Sequence, residues 1–372
     1  MKTLSKSRFV SCVQCEKKLW YSYYRKDLQL PTDEQTQAIF DLGHQIGNLA
    51  QNRFPNGKDA TPEDFSDFSP SIEKTKLWIA EEVETIYEAT FTAKNALCML
   101  DILHRMNDEI WAIEVKNSTS VKDYHLTDAS LQYFVMKEAG YAPDKFFLMH
   151  INNQYIKNGE LTDEFFHLED ITDKVLSKQT WVEENLERLL VMLENKQEPN
   201  VSIGAHCSSP FACDFVHHCW KHIPENSVFE LYRGGNKAWE LYKQGILKIE
   251  DIEDDFPLTH FQHLQRKGLR NQEQYINKEA IKNMISSWQF PLYFFDFETV
   301  FPAIPVLDGT RPYQQIPFQY SLNISRNLKP PSYRKKSSAF AGPRKPNRNC
   351  ERRIKKNDFF NEKYIYIFVT IV

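Results

Sequence analysis

The 372-residue chain has no apolar stretch long enough to cross a membrane. Its longest late apolar run, Ile365 to Val372, has eight residues and is interrupted by Tyr and Thr, far short of the roughly 20 that a bilayer requires. The N-terminus, Met1-Lys-Thr-Leu-Ser-Lys-Ser, lacks the apolar centre of a secretion signal; a cytoplasmic location with no membrane partner is expected. There is no glycine-rich phosphate loop and no internal repeat, so nothing points to a nucleotide-cradling motif or a solenoid. Bulk positive charge is also missing. The net charge is −4, and residues 1–325 carry 33 Lys/Arg against 47 Asp/Glu, whereas the segment from Arg326 onward carries 13 against 3. Any grip on nucleic acid by the body must come from local basic groups.

What the chain does have is length for two or three domains and seven cysteines, at positions 12, 15, 98, 207, 213, 219 and 350. Clustered cysteines in a cytosolic chain of this size suggest metal binding rather than disulfides. The apolar spacing predicts a helix over residues 34–54, a second over 72–84, and then three strands over 85–92, 96–103 and 109–115, with Asn107-Asp108 as the turn of the last hairpin. A helix over 127–139, a strand over 145–151 and one amphipathic helix over 175–197 follow. This order predicts a mixed α/β core. Residues 225–288 read as mainly helical, and a buried-strand pattern resumes at Phe290.

Two acids close apolar strands. Asp101 ends Ala96-Leu-Cys-Met-Leu, and Glu114-Val-Lys116 ends Ile110-Trp-Ala-Ile. Glu114 and Lys116 are two apart and share a strand face, and a hairpin can bring Asp101 beside them. Phosphodiester hydrolysis uses a hard cation such as Mg²⁺ or Mn²⁺ held by carboxylates, to which the Val115 carbonyl is a candidate addition. A neighbouring lysine orients or helps deprotonate the water and stabilises developing charge. On the following helix Asp128 and Gln132 are four apart on one face, with His125 just ahead; on the earlier helix His44 falls opposite the apolar stripe of Ile39, Leu42, Ile46, Leu49 and Ala50. The spacing taken alone also describes a surface hairpin with scattered charges, and His44 alone an exposed or capping histidine.

The stretches Gly43-His-Gln-Ile-Gly-Asn-Leu-Ala50, Leu100-Asp-Ile-Leu-His-Arg105 and Ala112-Ile-Glu-Val-Lys-Asn-Ser118 resemble the motifs of PD-(D/E)XK nucleases, in the RecB-like branch that includes the CRISPR-associated iron–sulfur exonucleases. The resemblance runs over residues 4–220. It implies a restriction-endonuclease-like core, metal ligation by His44, Asp101 and Glu114, catalysis by Lys116, and Gln132 beside the scissile phosphate of a nucleic-acid substrate, DNA favoured. The usual Gln-x-x-x-Tyr pairing has Met136 at its last position, with Tyr133 as a possible replacement. A catalytically impaired nucleic-acid-binding protein is the alternative.

Cys207-x5-Cys213-x5-Cys219 has one thiolate too few for a four-coordinate site, and Cys15 or Cys12 could complete it from the far end of the domain. Such a centre would close a long loop. By residue type alone, zinc and iron–sulfur are equally good readings. The RecB-like iron–sulfur nucleases use one early and three late cysteines around a [4Fe–4S] cluster. The pattern Leu4-Ser-Lys-Ser … Gln14-Cys15-Glu-Lys-Lys-Leu19 is similar to their N-terminal segment, which implies Cys15, Cys207, Cys213 and Cys219 as ligands. Cys98 reads as a core residue.

Tyr293-Phe-Phe-Asp296-Phe-Glu298-Thr resembles the first motif of DnaQ-like exonucleases, which have an RNase H-like fold. Only Asp308, Glu351, Asp358 and Glu362 follow as acids, none with the His or Tyr such a site needs, so Asp296 and Glu298 read as a vestigial second site. The chain resembles a bacterial family, known by a domain-of-unknown-function label, that joins a RecB-like to a DnaQ-like domain. The expected organisation is therefore a nuclease domain over 1–222, a helical connector over 223–289, a partial RNase H-like domain over 290–327 and a basic tail over 328–372. The tail reads as a disordered or out-of-frame translation or, second, as a basic nucleic-acid arm.

Overall fold

The computed structural model describes residues 2–326 and the backbone of Lys336–Ala339. The chain divides into two compact units: Met1–His150 with Leu168–Tyr275, and Ile151–His167 with the chain from Ile276 onward.

The first unit is mixed α/β. It opens with β1 (Leu4–Ser5), α1 (Lys6–Gln14) and α2 (Glu16–Tyr24). Ser5 caps α1 by accepting from the Arg8 amide at 3.4 Å. Asp33 caps α3 (Glu34–Gln51) by accepting from the Thr36 amide at 2.7 Å. Strand β2 (Lys58–Asp59) and α4 (Ser69–Ala80) lead into the meander β3 (Thr85–Ala93), β4 (Ala96–Met106) and β5 (Glu109–Lys116). The β4–β5 hairpin closes through Asn107, whose φ of 55° lies in the left-handed region that a two-residue hairpin turn uses. Next come α5 (Asp123–Glu138), β6 (Lys145–Ile151), β7 (Phe166–Asp170), α6 (Thr172–Leu176) and α7 (Gln179–Glu194).

The sheet order is β2-β3-β4-β5-β6-β7. Strands β3, β4 and β5 are antiparallel, while β5 and β6 run parallel and therefore need the crossover that α5 supplies. Strand β5 pairs with β4 only from Ile102 onward. The start of β4 is thereby open, and β1 takes it in parallel, Leu4 beside Ala96 and Ser5 beside Leu97. The core lies between the sheet and α5, where Leu100, Ala129, Leu131, Val135 and Phe146 are fully buried, and α7 covers α5 with Val182, Leu186, Leu189 and Leu193. Short helices α8 (Val216–Cys219), α9 (Asn236–Lys243) and α10 (His260–Asn271) complete the unit, the last two around a small core of Val228, Leu231, Leu241, Ile249 and Ile252.

Three readings of the sequence change. The single helix over 175–197 is two, because Asp170 and Thr172 start α6 early (Thr172 amide to Asp170 Oδ1, 2.9 Å) and the chain leaves the helix before α7. Strand β7 went unread, being five residues beside charged neighbours. In α3 only Ile46 and Ala50 of the apolar stripe are fully buried, while Ile39 is exposed.

The second unit contains α11 (Lys278–Ser286) and an antiparallel sheet of β8 (Leu292–Val300), β9 (Ile316–Ser325) and β10 (Lys336–Ala339), in the order β10-β9-β8. The strand read from Phe290 is present as β8, but its residues are half-buried or exposed rather than buried. Apart from the backbone of β10, the expectations for residues 328–372 lie outside the described residues. Among the described residues no helix is long and apolar enough to cross a membrane.

Candidate active site

The β4–β5 register, with Ile102 opposite Ile113, sets Asp101 and Glu114 across from each other one step further along. Asp101 takes over a ladder bond there: its Oδ2 accepts from the Val115 amide at 2.6 Å. Glu114 is 1 % exposed and sits at the centre of a polar network. Its Oε1 accepts from Lys116 Nζ at 2.6 Å and Lys6 Nζ at 2.9 Å. Its Oε2 accepts from Gln132 Nε2 at 2.8 Å and again from Lys6 Nζ at 3.1 Å. Lys116 Nζ also meets Asp128 Oδ2 at 2.7 Å, and Gln132 Nε2 lies 3.5 Å from Asp128 Oδ1. The helical spacing of Asp128 and Gln132 delivers both to this point because α5 packs on β3 and β4, next to β5.

Glu88 lies on β3 between Tyr87, paired with Ile102, and Ala89, paired with Leu100. It therefore faces Asp101 across the β3–β4 ladder, with its backbone in the left-handed region at φ 55°, a conformation costly for a side chain of this size. Burial, then the neighbouring Asp101 charge, pushes the Glu88 carboxyl up to about 8. Burial, then Glu114, pushes Asp101 up to about 6. Burial also opposes the charge on Glu114, yet Lys116 and Lys6 hold it well below the usual carboxylate range. Burial works against the ammonium of Lys116 too, but Asp128 and Glu114 raise it above the ordinary lysine value. His125 accepts from the Lys122 amide at 3.1 Å, and burial, then Lys116, lowers it to about 4, so it is neutral.

Four carboxyl groups (Glu88, Asp101, Glu114 and Asp128) thus face two ammonium groups (Lys6 and Lys116), a deficit that a divalent cation would offset. A second observation agrees. Gln132 is fully buried, and its Oε1 has no hydrogen-bond partner; an orphaned buried acceptor costs about 1–3 kcal/mol and fits a donor such as cation-bound water.

The structure brings together Asp101, Glu114, Lys116 and Gln132, and the Val115 amide with them. It leaves His44 exposed on α3, with no hydrogen bond or ion pair to these carboxylates among the described residues. Met136 is fully buried and Tyr133 packs against the core. Sequence reasoning missed Lys6 and Glu88. Lys6 stood inside the quoted Leu4-Ser-Lys-Ser pattern; Glu88 was legible as a lone acid in an otherwise buried strand.

Cys15, Cys207, Cys213 and Cys219 line one cavity together with Lys17 and Lys18. Cys15 is the cap residue between α1 and α2, whereas Cys12, three residues earlier, faces the core beside Phe9 and is 1 % exposed. Gln14 ties this end of α1 to the cysteine loop, its Nε2 donating to the carbonyls of His206 at 2.6 Å and Phe211 at 2.7 Å. Beneath the cavity, Trp20, Tyr21 and Phe215 pack around Cys213. The sulfurs do not converge on one point: among the described residues no three of them lie within 4.8 Å of one another. Burial raises the thiols of Cys15, Cys213 and Cys219, while the amides of Lys18 and Lys17 pull Cys15 back. Cys98 is buried in β4.

In the second unit Asp296 and Glu298 are exposed on β8. Asp296 Oδ1 accepts from the Phe297 amide at 3.0 Å. Asp308 is engaged with Lys157 Nζ at 2.8 Å and the Gly159 amide at 3.0 Å.

Residues 293–365 match the family described as a domain of unknown function, DUF2779; the match runs past residue 327 into the segment read as a tail. No curated protein matches the chain by sequence. Among solved structures, the crystal structure of SSO0001 aligns with a TM-score of 0.28 at 14 % identity, covering 60 % of this chain and 88 % of that one.

Proposed function

We propose that the chain is a divalent-metal-dependent nuclease, an exonuclease on DNA by preference, whose hydrolytic centre is Asp101, Glu114 and Lys116. The observation that carries this reading is the convergence of four carboxyl groups on two ammonium groups around Glu114, beside the orphaned Gln132 Oε1. Asp101, Glu114 and the Val115 carbonyl would hold Mg²⁺ or Mn²⁺; His44 enters as a ligand on the sequence resemblance alone. The cation supplies Lewis acidity and a water of lowered pKa. Lys116, kept charged by Asp128 and Glu114, acts as a hydrogen-bond donor to the reacting phosphate rather than as a base. Gln132 offers its free oxygen to orient the water.

We further propose that the four-cysteine cavity holds a [4Fe–4S] cluster. The four cysteines lining one cavity support this reading together with the sequence resemblance; a zinc ion is the alternative. Such a cluster would tie the start of the domain to its end.

The test incubates the purified full chain with labelled single- and double-stranded DNA in Mn²⁺ or in EDTA. Cleavage in Mn²⁺ alone is expected, with a loss of at least about 10²-fold in Lys116→Ala. Equal cleavage by wild type and Lys116→Ala would remove the proposal.

A further inference from the structure

We propose that Lys6 is a built-in competitor for the divalent cation, so that the N-terminal segment sets the metal affinity of the carboxylate centre; this rests on the metal-site reading above. Glu114 has no spare capacity. Each of its oxygens already accepts twice, Oε1 from Lys116 and Lys6, Oε2 from Gln132 and Lys6, which fills the roughly four lone-pair positions of a carboxylate. A cation that binds Glu114 must displace one of these donors.

The three donors are not equally held. Lys116 is also bound to Asp128 at 2.7 Å. Gln132 is fully buried and reaches Asp128 as well. Among the described residues Lys6 hydrogen-bonds to Glu114 alone; it is about a quarter exposed and carries its charge on a flexible four-carbon stem. Its place on the helix does not account for it either. Lys6 is the first residue of α1, where the helix dipole disfavours a cation. The parallel pairing of β1 with β4 pins the backbone just before it, so the ammonium is delivered to the carboxylate centre, with Glu114 as its hydrogen-bond partner. Lys6 is therefore the donor that yields when the cation enters. Its retreat separates two like charges, and the strength of its hold on Glu114 subtracts from metal affinity.

A merely supporting role predicts the opposite sign: deleting a prop of Glu114 would loosen the site and weaken metal binding. Mn²⁺ binding is read from the loss of the free-ion electron paramagnetic resonance signal, without nucleic acid, on full-length wild type, Lys6→Met, Lys6→Arg and Glu114→Gln. Lys6→Met is expected to bind Mn²⁺ about tenfold more tightly, a modest part of the repulsion between two cations in contact, and Lys6→Arg to stay within about twofold of wild type because it keeps the charge. Equal or weaker binding in Lys6→Met, with Glu114→Gln losing the ion, overturns the competitor role alone. Unchanged binding in Glu114→Gln overturns the metal-site reading and the competitor with it. Should Lys6→Met not fold, Lys6→Gln removes the charge while keeping a donor and carries the same expected direction.

Discussion

The pH dependence of stability in the metal-free protein follows from Glu88. Its carboxyl moves from an ordinary 4.5 to about 8 on folding. Between those values the unfolded chain has lost the proton and the folded chain keeps it, so the folded state binds more protons and stability falls as pH rises, reaching a floor above pH 8. At about 1.4 kcal/mol per tenfold change in proton affinity, ionising Glu88 costs the fold at most about 5 kcal/mol. Glu88 retains some contact with solvent, and its repulsion is shared with Asp101, itself raised to about 6; roughly 2 kcal/mol is the expected net, or about 4–8 °C in melting temperature for a unit of this size. The assay is thermal unfolding in EDTA from pH 5 to pH 9, for wild type and Glu88→Gln. Wild type should melt progressively lower as the pH rises, and Glu88→Gln should lose most of that slope above pH 6. Saturating Mn²⁺ should abolish the slope in wild type, since the cation replaces the protons. Parallel slopes for the two proteins in EDTA would refute the assignment of Glu88 to this charge cluster.

Three further outcomes are expected. If the proposed cluster is bound, wild type should show visible absorbance and iron that Cys15→Ala loses, whereas Cys12→Ala should keep both while losing about 1–2 kcal/mol of stability through its buried thiol, as read by metal analysis and urea unfolding; an iron-free, colourless wild type would refute the cluster. Leu100→Ala, beside Asp101 on β4 and fully buried, should cost about 2–5 kcal/mol in urea unfolding; a loss under 1 kcal/mol would contradict its place in the core. Asp296→Asn and Glu298→Gln should leave DNA cleavage unchanged, because both acids are exposed on β8 and Asp308 is engaged elsewhere; a tenfold loss would show a working second site.

Much of the local structure was legible in the chain. The β4–β5 hairpin, with its Asn107-Asp108 turn, follows from alternation and turn chemistry, and the α5 face bearing Asp128 and Gln132 follows from a spacing of four. Both signals act within one or two turns of chain, and local periodicity records them. The α6–α7 break and strand β7 were not legible, since neither carries a long periodic pattern.

The sequence by itself determined a mixed α/β unit, a hairpin ending in acids with a lysine on the same face, and three late cysteines in want of a fourth. Only the tertiary structure decided which distant groups join them. Lys6 reaches Glu114 across 108 positions of chain, through a short parallel strand that no periodicity announces. Glu88 faces Asp101 because of the β3–β4 register. Cys15, which the sequence resemblance already implied, lines one cavity with the late cysteines, and it is the end of α1 that turns Cys12 into the core. Each is a long-range pairing, fixed by how buried surfaces match after the elements form, and such matching leaves no trace in the spacing of residues along the chain.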